Sequence, residues 1–275
     1  MREFAEAQVN ARLERVAAEI ERARTEMSED AVHDLRVSIR RLAQALRLFG
    51  ELLGKKAARE LRQQVRPLLK CAGEVRNRDI AAGIVRRSKT PAAAALVKTL
   101  KAERAALIKE LRALLDTFQG VDLRRQWSQK KGGELWDRGL PPAANARAVL
   151  PGLARKFIKA GNKAVREETG WADLHQFRLR GKRFRYTLEL FTPVYGKGLE
   201  RRIESMRKVQ TVLGDINDCE TMLAMESLKV DQPLVEWLSK RRDERRKKFV
   251  ELWGREFDGA QAERRWMTYF KRYAR

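Results

Sequence analysis

Residues 32–49 read VHDLRVSIRRLAQALRLF, and their apolar members Leu35, Ile39, Leu42, Leu46 and Phe49 recur every three or four positions. That spacing gathers them on one side of an α-helix. At about 100° per residue, His33, Arg36, Arg40 and Arg47 fall on another side, roughly 100–160° away. Residues 174–191, LHQFRLRGKRFRYTLELF, align with this stretch without a gap. His33 meets His175, Arg36 meets Arg178, Arg41 meets Arg183, Phe49 meets Phe191, and Lys182 stands opposite Arg40. The two histidines of the chain therefore occupy equivalent positions of an internal repeat. In the second copy Phe177, Phe184, Leu188 and Phe191 make the apolar stripe, and His175, Arg178, Lys182 and Arg185 the basic one.

A second pair follows at almost the same separation. CAGEVRNRDI (71–80) aligns with VLGDINDCE (212–220), placing Gly73 opposite Gly214 and Glu74 opposite Asp215. Each half then reads as a helix, a His/Arg helix, a long helix broken at a glycine–acid step, and further helix. Two four-helix bundles related by a pseudo-two-fold axis account for that order.

Working outward, Ala, Leu, Arg, Glu and Lys dominate and proline is scarce, which is helix composition. Leu13, Val16 and Ile20 mark a helix before the first histidine. Ser28 or Asp30 is placed to cap the histidine helix, and Gly50 or Gly54 to end it. A third helix is predicted over 57–87, bent or interrupted at Pro67 and Gly73. Thr90-Pro91 reads as an N-cap followed by proline at the first helical position. Residues 121–142 lose the periodicity and carry Gly132, Gly133, Gly139, Pro141 and Pro142, so they read as a linker between 1–120 and 143–275. Helical patterning resumes over 143–168, 173–191, 199–228, 233–257 and 262–273. No strand-type alternation stands out, and the fold class is all-α.

Lys and Arg number 60 against 37 Asp and Glu, a formal charge of +23. Such an excess repels itself, and an acidic partner relieves it: nucleic acid, anionic lipid or polyphosphate. Cys71 and Cys219 are the only cysteines and lie far apart, which suits a reducing compartment and argues against a disulfide framework. The N-terminal MREFAEAQVNARLERVAAEI is charged throughout, and no stretch approaches the roughly 20 apolar residues of a membrane span. A cytoplasmic protein without a membrane partner is expected. The basic row from His33 to Arg47 extends about 21 Å at 1.5 Å per residue. A row that long suits an extended anion more than a single phosphate ion, with arginine forks on phosphate oxygens and lysine as point charge.

VHDLRVSIRRL and LHQFRLRGKRFRYTLELF resemble the two signature histidine helices of the CHAD family, the conserved-histidine α-helical domain. LGDINDCE is similar to the family's second characteristic segment, and GEVRNRDI is a looser version of it. The resemblance covers nearly the whole chain and implies two four-helix bundles about a pseudo-two-fold axis. It also implies binding of inorganic polyphosphate in a basic groove or pore, association with polyphosphate granules, and phosphate contact at His33, Arg36, Arg40, His175, Arg178 and Lys182. The basic neighbours Arg41, Arg47, Arg183 and Arg185 complete the candidate set. The chain reads as a stand-alone form, without the triphosphate-tunnel domain that some members carry. Gly181, opposite Ile39, predicts closer helix contact in one half than in the other.

The expected function is therefore polyphosphate binding without bond cleavage, with no cofactor, no metal and no catalytic residue. Histidines that only orient their neighbours are an alternative reading of His33 and His175. A two-histidine metal site has no HExxH or Cys/His cluster behind it. Asp79, Asp215 and Asp218 are better explained as partners of arginines than as catalytic carboxylates. GKG at 196–198 lacks the spacing and preceding strand of a P-loop. The run KRRDERRKKF (240–249) reads as outer surface or as a nucleic-acid patch. A helical nucleic-acid-binding protein is the second reading, although no helix-turn-helix, RNA-binding motif or interleaved stacking aromatic accompanies the charge.

Overall fold

A computed structural model describes residues 1–118, 121–130, 141–257 and 259–274. Among the described residues the chain is helical and contains no strand. In order, the helices are α1 (Arg2–Glu26), α2 (Glu29–Leu53), α3 (Lys55–Gln64), α4 (Arg66–Ser88), α5 (Ala93–Asp116), α6 (Leu123–Lys130) and α7 (Pro142–Ala164). They continue with α8 (Trp171–Leu190), α9 (Thr192–Tyr195), α10 (Lys197–Leu223), α11 (Glu226–Lys229), α12 (Gln232–Phe257) and α13 (Gly259–Arg272). The chain divides into two compact units, one of Arg2–Arg138 with Glu226–Leu234, the other of Gly139–Met225 and Val235–Arg275 with Met1. The second unit is thus interrupted by a short excursion, α11 and the start of α12, that packs on α5 of the first.

In the first unit α1 lies along α2, α2 on α4, and α4 along α5. Ser28 caps α2 by accepting from the Ala31 N–H, and Gly54, at φ 127°, ends it. Gly50 instead lies inside α2, where a Cβ would stand 3.0 Å from that of Ala58. In the second unit α8 lies on α10 and α7 on α8 and α13. Its core is aromatic: the Phe157 ring meets Phe177, Phe184, Trp253 and Phe257 at centroid distances of 5.3 to 5.6 Å. Gly181 lies against this cluster, and a Cβ there would stand 3.4 Å from the Phe157 ring, an ordinary van der Waals contact.

Buried positions recur between the halves at a nearly constant sequence separation. Ala5, Val9, Leu13, Val16 and Ala23 of α1 answer to Ala146, Leu150, Ala154, Phe157 and Ala164 of α7, all buried. Leu100, Leu111 and Leu115 of α5 answer to Leu238, Phe249 and Trp253 of α12.

Several expectations require correction. Neither Gly73 nor Gly214 breaks its helix, because α4 and α10 run through both. The interruption falls at Val65, with Pro67 in the first turn of α4, where its missing N–H costs nothing. Thr90 is not an N-cap: α5 begins at Ala93 without a side-chain cap, and Thr90 Oγ1 donates to Asp231 Oδ2 at 3.1 Å. Within the stretch read as a linker, Leu123–Lys130 form α6, with Leu123 and Trp127 buried at a four-residue spacing. Gly132, Gly133 and Gly139 lie outside the described residues.

The tightest contact predicts its own test. A Cβ on Gly161 would lie 2.0 Å from the Trp253 indole, whereas Gly152 on the same helix has open space. Gly161→Ala is expected to cost about 1–3 kcal/mol by overpacking, seen as a lower urea midpoint by tryptophan fluorescence. Gly152→Ala should leave the midpoint unchanged or raise it by up to about 1 kcal/mol.

Candidate polyanion-binding site

The Ser28 cap sets the start of α2 and hence the register that puts His33, Arg36 and Arg40 in one row. His33 is exposed, and the two arginines are half-buried along the side of α2 that adjoins α4. Arg36 reaches across Gly73 of α4: its Nη2 lies 3.9 Å from where a Cβ at that glycine would be. A Cβ there would make only ordinary van der Waals contact with the guanidinium. Arg76, one turn further along α4, completes the face and holds the exposed carboxylate of Glu29 at 3.5 Å. Desolvation by the surrounding fold pushes the His33 imidazole below its ordinary pKa. The positive charges of Arg76, Arg36 and Arg40 push the same way, and Asp34 opposes them. Arg41 is half-buried, and the exposed Arg47 donates to Gln44 Oε1 at 3.1 Å.

The second copy follows the same plan with different charges. His175 is exposed, and its Nδ1 lies 2.6 Å from Asn217 Oδ1 on α10. A cleft of about 280 Å³ opens beside this pair, lined also by Trp171, Leu213, Glu220 and Thr221. Arg178 and Lys182 are half-buried and Arg183 is exposed. Burial pushes the Asp218 carboxyl up, while the neighbouring charges of Arg178 and Lys182 pull it back down. Arg185 stands apart from the predicted row. It donates to Gln210 Oε1 at 2.7 Å, pairs with Glu189 and lies over the Tyr186 ring at 4.6 Å.

The remaining acidic candidates are partners of arginines. Arg104 Nε of α5 meets the buried Asp79 at 2.5 Å, and Arg242 of α12 meets Glu220, the equivalent residue of the second copy, at 2.9 Å. Arg245 meets Asp215 at 3.1 Å. The run 240–249 is therefore not simply outer surface. Arg246 donates to the carbonyls of Arg166, Glu167 and Thr169, closing the end of α7, and Arg242 and Arg246 both lie over Trp171. Its exposed cations include Lys247 and Lys248. Both cysteines are free and buried, and burial pushes each thiol up to about 11, which leaves little thiolate for nucleophilic chemistry. Among the described residues no group of three or more His, Cys, Asp or Glu is placed to hold a metal ion. No helix among them is long and apolar enough to cross a membrane.

The chain matches the model of the CHAD domain over residues 7–227. It belongs to the CHAD domain family. The CHAD domain from the plant Ricinus communis has a similar crystal structure, with a TM-score of 0.62 at 20% identity over 97% of this chain and 91% of that one. PptA from Streptomyces chartreusis is similar with a TM-score of 0.64 at 15% identity, over 92% of this chain and 99% of that one. No curated protein matches the chain. At these identities the likeness establishes a shared fold.

Within this CHAD domain, Arg76 and Asn217 are the site residues that sequence reasoning missed. Both stand three places after the repeated glycine, Gly73 or Gly214, and each faces the histidine of its own copy. That common offset was the available signal. The Arg104–Asp79 pair tests which arginines are structural: Arg104→Ala should cost about 3 kcal/mol by leaving the buried carboxylate without its partner. Arg104→Met with Asp79→Leu should recover most of that loss in a urea titration.

Proposed function

We propose that this CHAD domain binds inorganic polyphosphate on the histidine faces of its two repeats and holds the chain without cleaving it. The family is linked to polyphosphate binding. The observation that carries the reading is the clustering of His33, Arg36, Arg40 and Arg76 on one face of α2 and α4, with the related set His175, Arg178 and Lys182 on α8 and α10. Two copies of one motif, each presenting several phosphate-binding side chains, fit a repetitive anion. Each copy is read as a four-helix bundle from an internal duplication, α1, α2, α4 and α5 in one and α7, α8, α10 and α12 in the other. The recurrence of buried positions supports this reading. Of the sequence candidates, Arg185 is assigned to structure rather than to the ligand.

The mechanism is electrostatic. Guanidinium groups form charge-assisted bonds to phosphate oxygens, and counterions released from the polyanion supply much of the affinity. A net charge of +23 also draws polyanions in from a distance. Residence in the cytoplasm, at polyphosphate granules, belongs to the same reading. Nucleic acid is the second reading, since it shares the charge. It lacks support from stacking aromatics on the faces, where the described rings are mostly core.

Calorimetric titration with long-chain polyphosphate at low and high salt tests the reading. Arg36→Ala, Arg40→Ala, Arg178→Ala and Lys182→Ala combined should abolish tight binding while the chain stays helical. Each lost phosphate contact should flatten the slope of log affinity against log salt by about 0.7, the value for single-stranded polyanions. Unchanged binding would mean that diffuse charge suffices. DNA or RNA that displaces polyphosphate at equal phosphate concentration would favour the second reading. Turnover with magnesium or manganese, abolished by His33→Ala, would make the protein an enzyme.

A further inference from the structure

We infer that the two basic faces are unequal: the α2/α4 face anchors the anion and takes a proton onto His33 as it does so, while the α8/α10 face holds its cations partly on its own carboxylates. The inference rests on the polyphosphate reading above and adds an order of occupancy and a coupling to pH.

The inequality is written at two adjacent positions. Aligned on Gly73 and Gly214, Arg76-Asn77 of α4 stands opposite Asn217-Asp218 of α10. One face therefore carries a cation beside a neutral amide, and the other a neutral amide beside an anion. Asp218 is half-buried and acts electrostatically on both Arg178 and Lys182. An incoming phosphate must compete with this carboxylate. On the first face the neutral Asn77 stands in its place. Glu29, on Arg76, and Glu74, on Arg78, are both substantially exposed, where an ion pair is weak and readily exchanged.

The same neighbours set the proton coupling. On its own helix His33 has Arg36, Arg40 and Asp34, with Glu29 one turn before it, and across from it is Arg76 of α4. Helix α1 contributes Arg22, which is bound to Asp34 at 2.8 Å, and α3 begins only beyond the far end of α2. In the free protein this predominantly cationic setting, together with partial desolvation by the fold, favours the neutral ring. A polyphosphate laid across Arg36, Arg40 and Arg76 reverses the local sign and favours imidazolium. The bound-state pKa then lies above the free-state one, so a proton is taken from solvent on binding and affinity rises as pH falls between them. His175 sits instead against the neutral Asn217 amide.

The test compares matched double variants with long-chain sodium polyphosphate in low salt. Arg36→Gln/Arg40→Gln and Arg178→Gln/Lys182→Gln remove the same charge from equivalent positions. The first should weaken binding about ten-fold more than the second, a difference of about 1.4 kcal/mol. Asn217→Arg/Asp218→Asn should strengthen binding, a gain that misfolding cannot imitate. Calorimetry at about pH 6.5, near the ordinary histidine pKa, in two buffers of different ionisation enthalpy reads proton uptake directly. Uptake should vanish in His33→Gln and persist in His175→Gln. Equal losses in the two double variants, no gain from the charge swap, or uptake that survives His33→Gln would each overturn the inference while leaving polyphosphate binding intact. If the wild-type protein binds no polyphosphate, the functional reading falls and this inference with it.

Discussion

Coulombic pairing ties α5 to α4 in one unit and α12 to α10 in the other, and it fixes several arginines of each on carboxylates. Arg104 on Asp79 and Arg242 on Glu220 occupy equivalent places in the sequence alignment, and the Asp79 carboxylate is buried while Glu220 is half-buried. Arg245 on Asp215 and Arg78 between Glu74 and Glu103 extend the pattern. Once these pairs are formed, the α4 and α10 faces turned toward α5 and α12 are held by ion pairs. With 60 Lys and Arg against 37 Asp and Glu, such pairs cannot neutralise every cation of the chain.

Much of this was legible in the sequence because helical period and repeat position report the same geometry. Leu35, Ile39, Leu42, Leu46 and Phe49 were assigned to one apolar stripe, and all are buried. The equivalence of His33 and His175 required only alignment. What escaped reading depended on partners distant in sequence. Gly73 carries a helix-breaking residue type, yet α4 runs through it, held by its packing against α2 and α5. Thr90-Pro91 has the form of a helix start, but the threonine hydroxyl is drawn to Asp231, far along the chain. Residues 240–249 look like a solvated basic run. Which of their arginines point inward depends on carboxylates and carbonyls on other helices, which composition does not reveal.

The faces themselves show how few substitutions alter a polyanion surface. The framework of a histidine, two cations one and two turns later, and a glycine on the adjoining helix is common to both copies. The exchange of Arg76-Asn77 for Asn217-Asp218 leaves the apolar neighbours Val75 and Ile216 buried. It changes the local charge by two, from one cation to one anion, at positions outside the buried core.

Core positions obey the opposite rule: polarity is fixed and volume is exchanged between partners. Ile20 of α1 and Leu115 of α5 are both buried, and in the second copy their equivalents are Gly161 and Trp253. One side chain has disappeared and the other has grown, so that the indole occupies the space a Cβ at 161 would need. Either replacement alone would leave a cavity or a collision. Together they conserve volume, which is the kind of core exchange a close-packed interior tolerates. The indole also gains a bond that leucine could not make, from Nε1 to Asn162 Oδ1 at 2.8 Å. The packing arrangement at these positions is thus aliphatic in the first unit and aromatic in the second. Charge on the histidine faces can vary without disturbing that arrangement because the two sets of positions lie on different sides of the same helices.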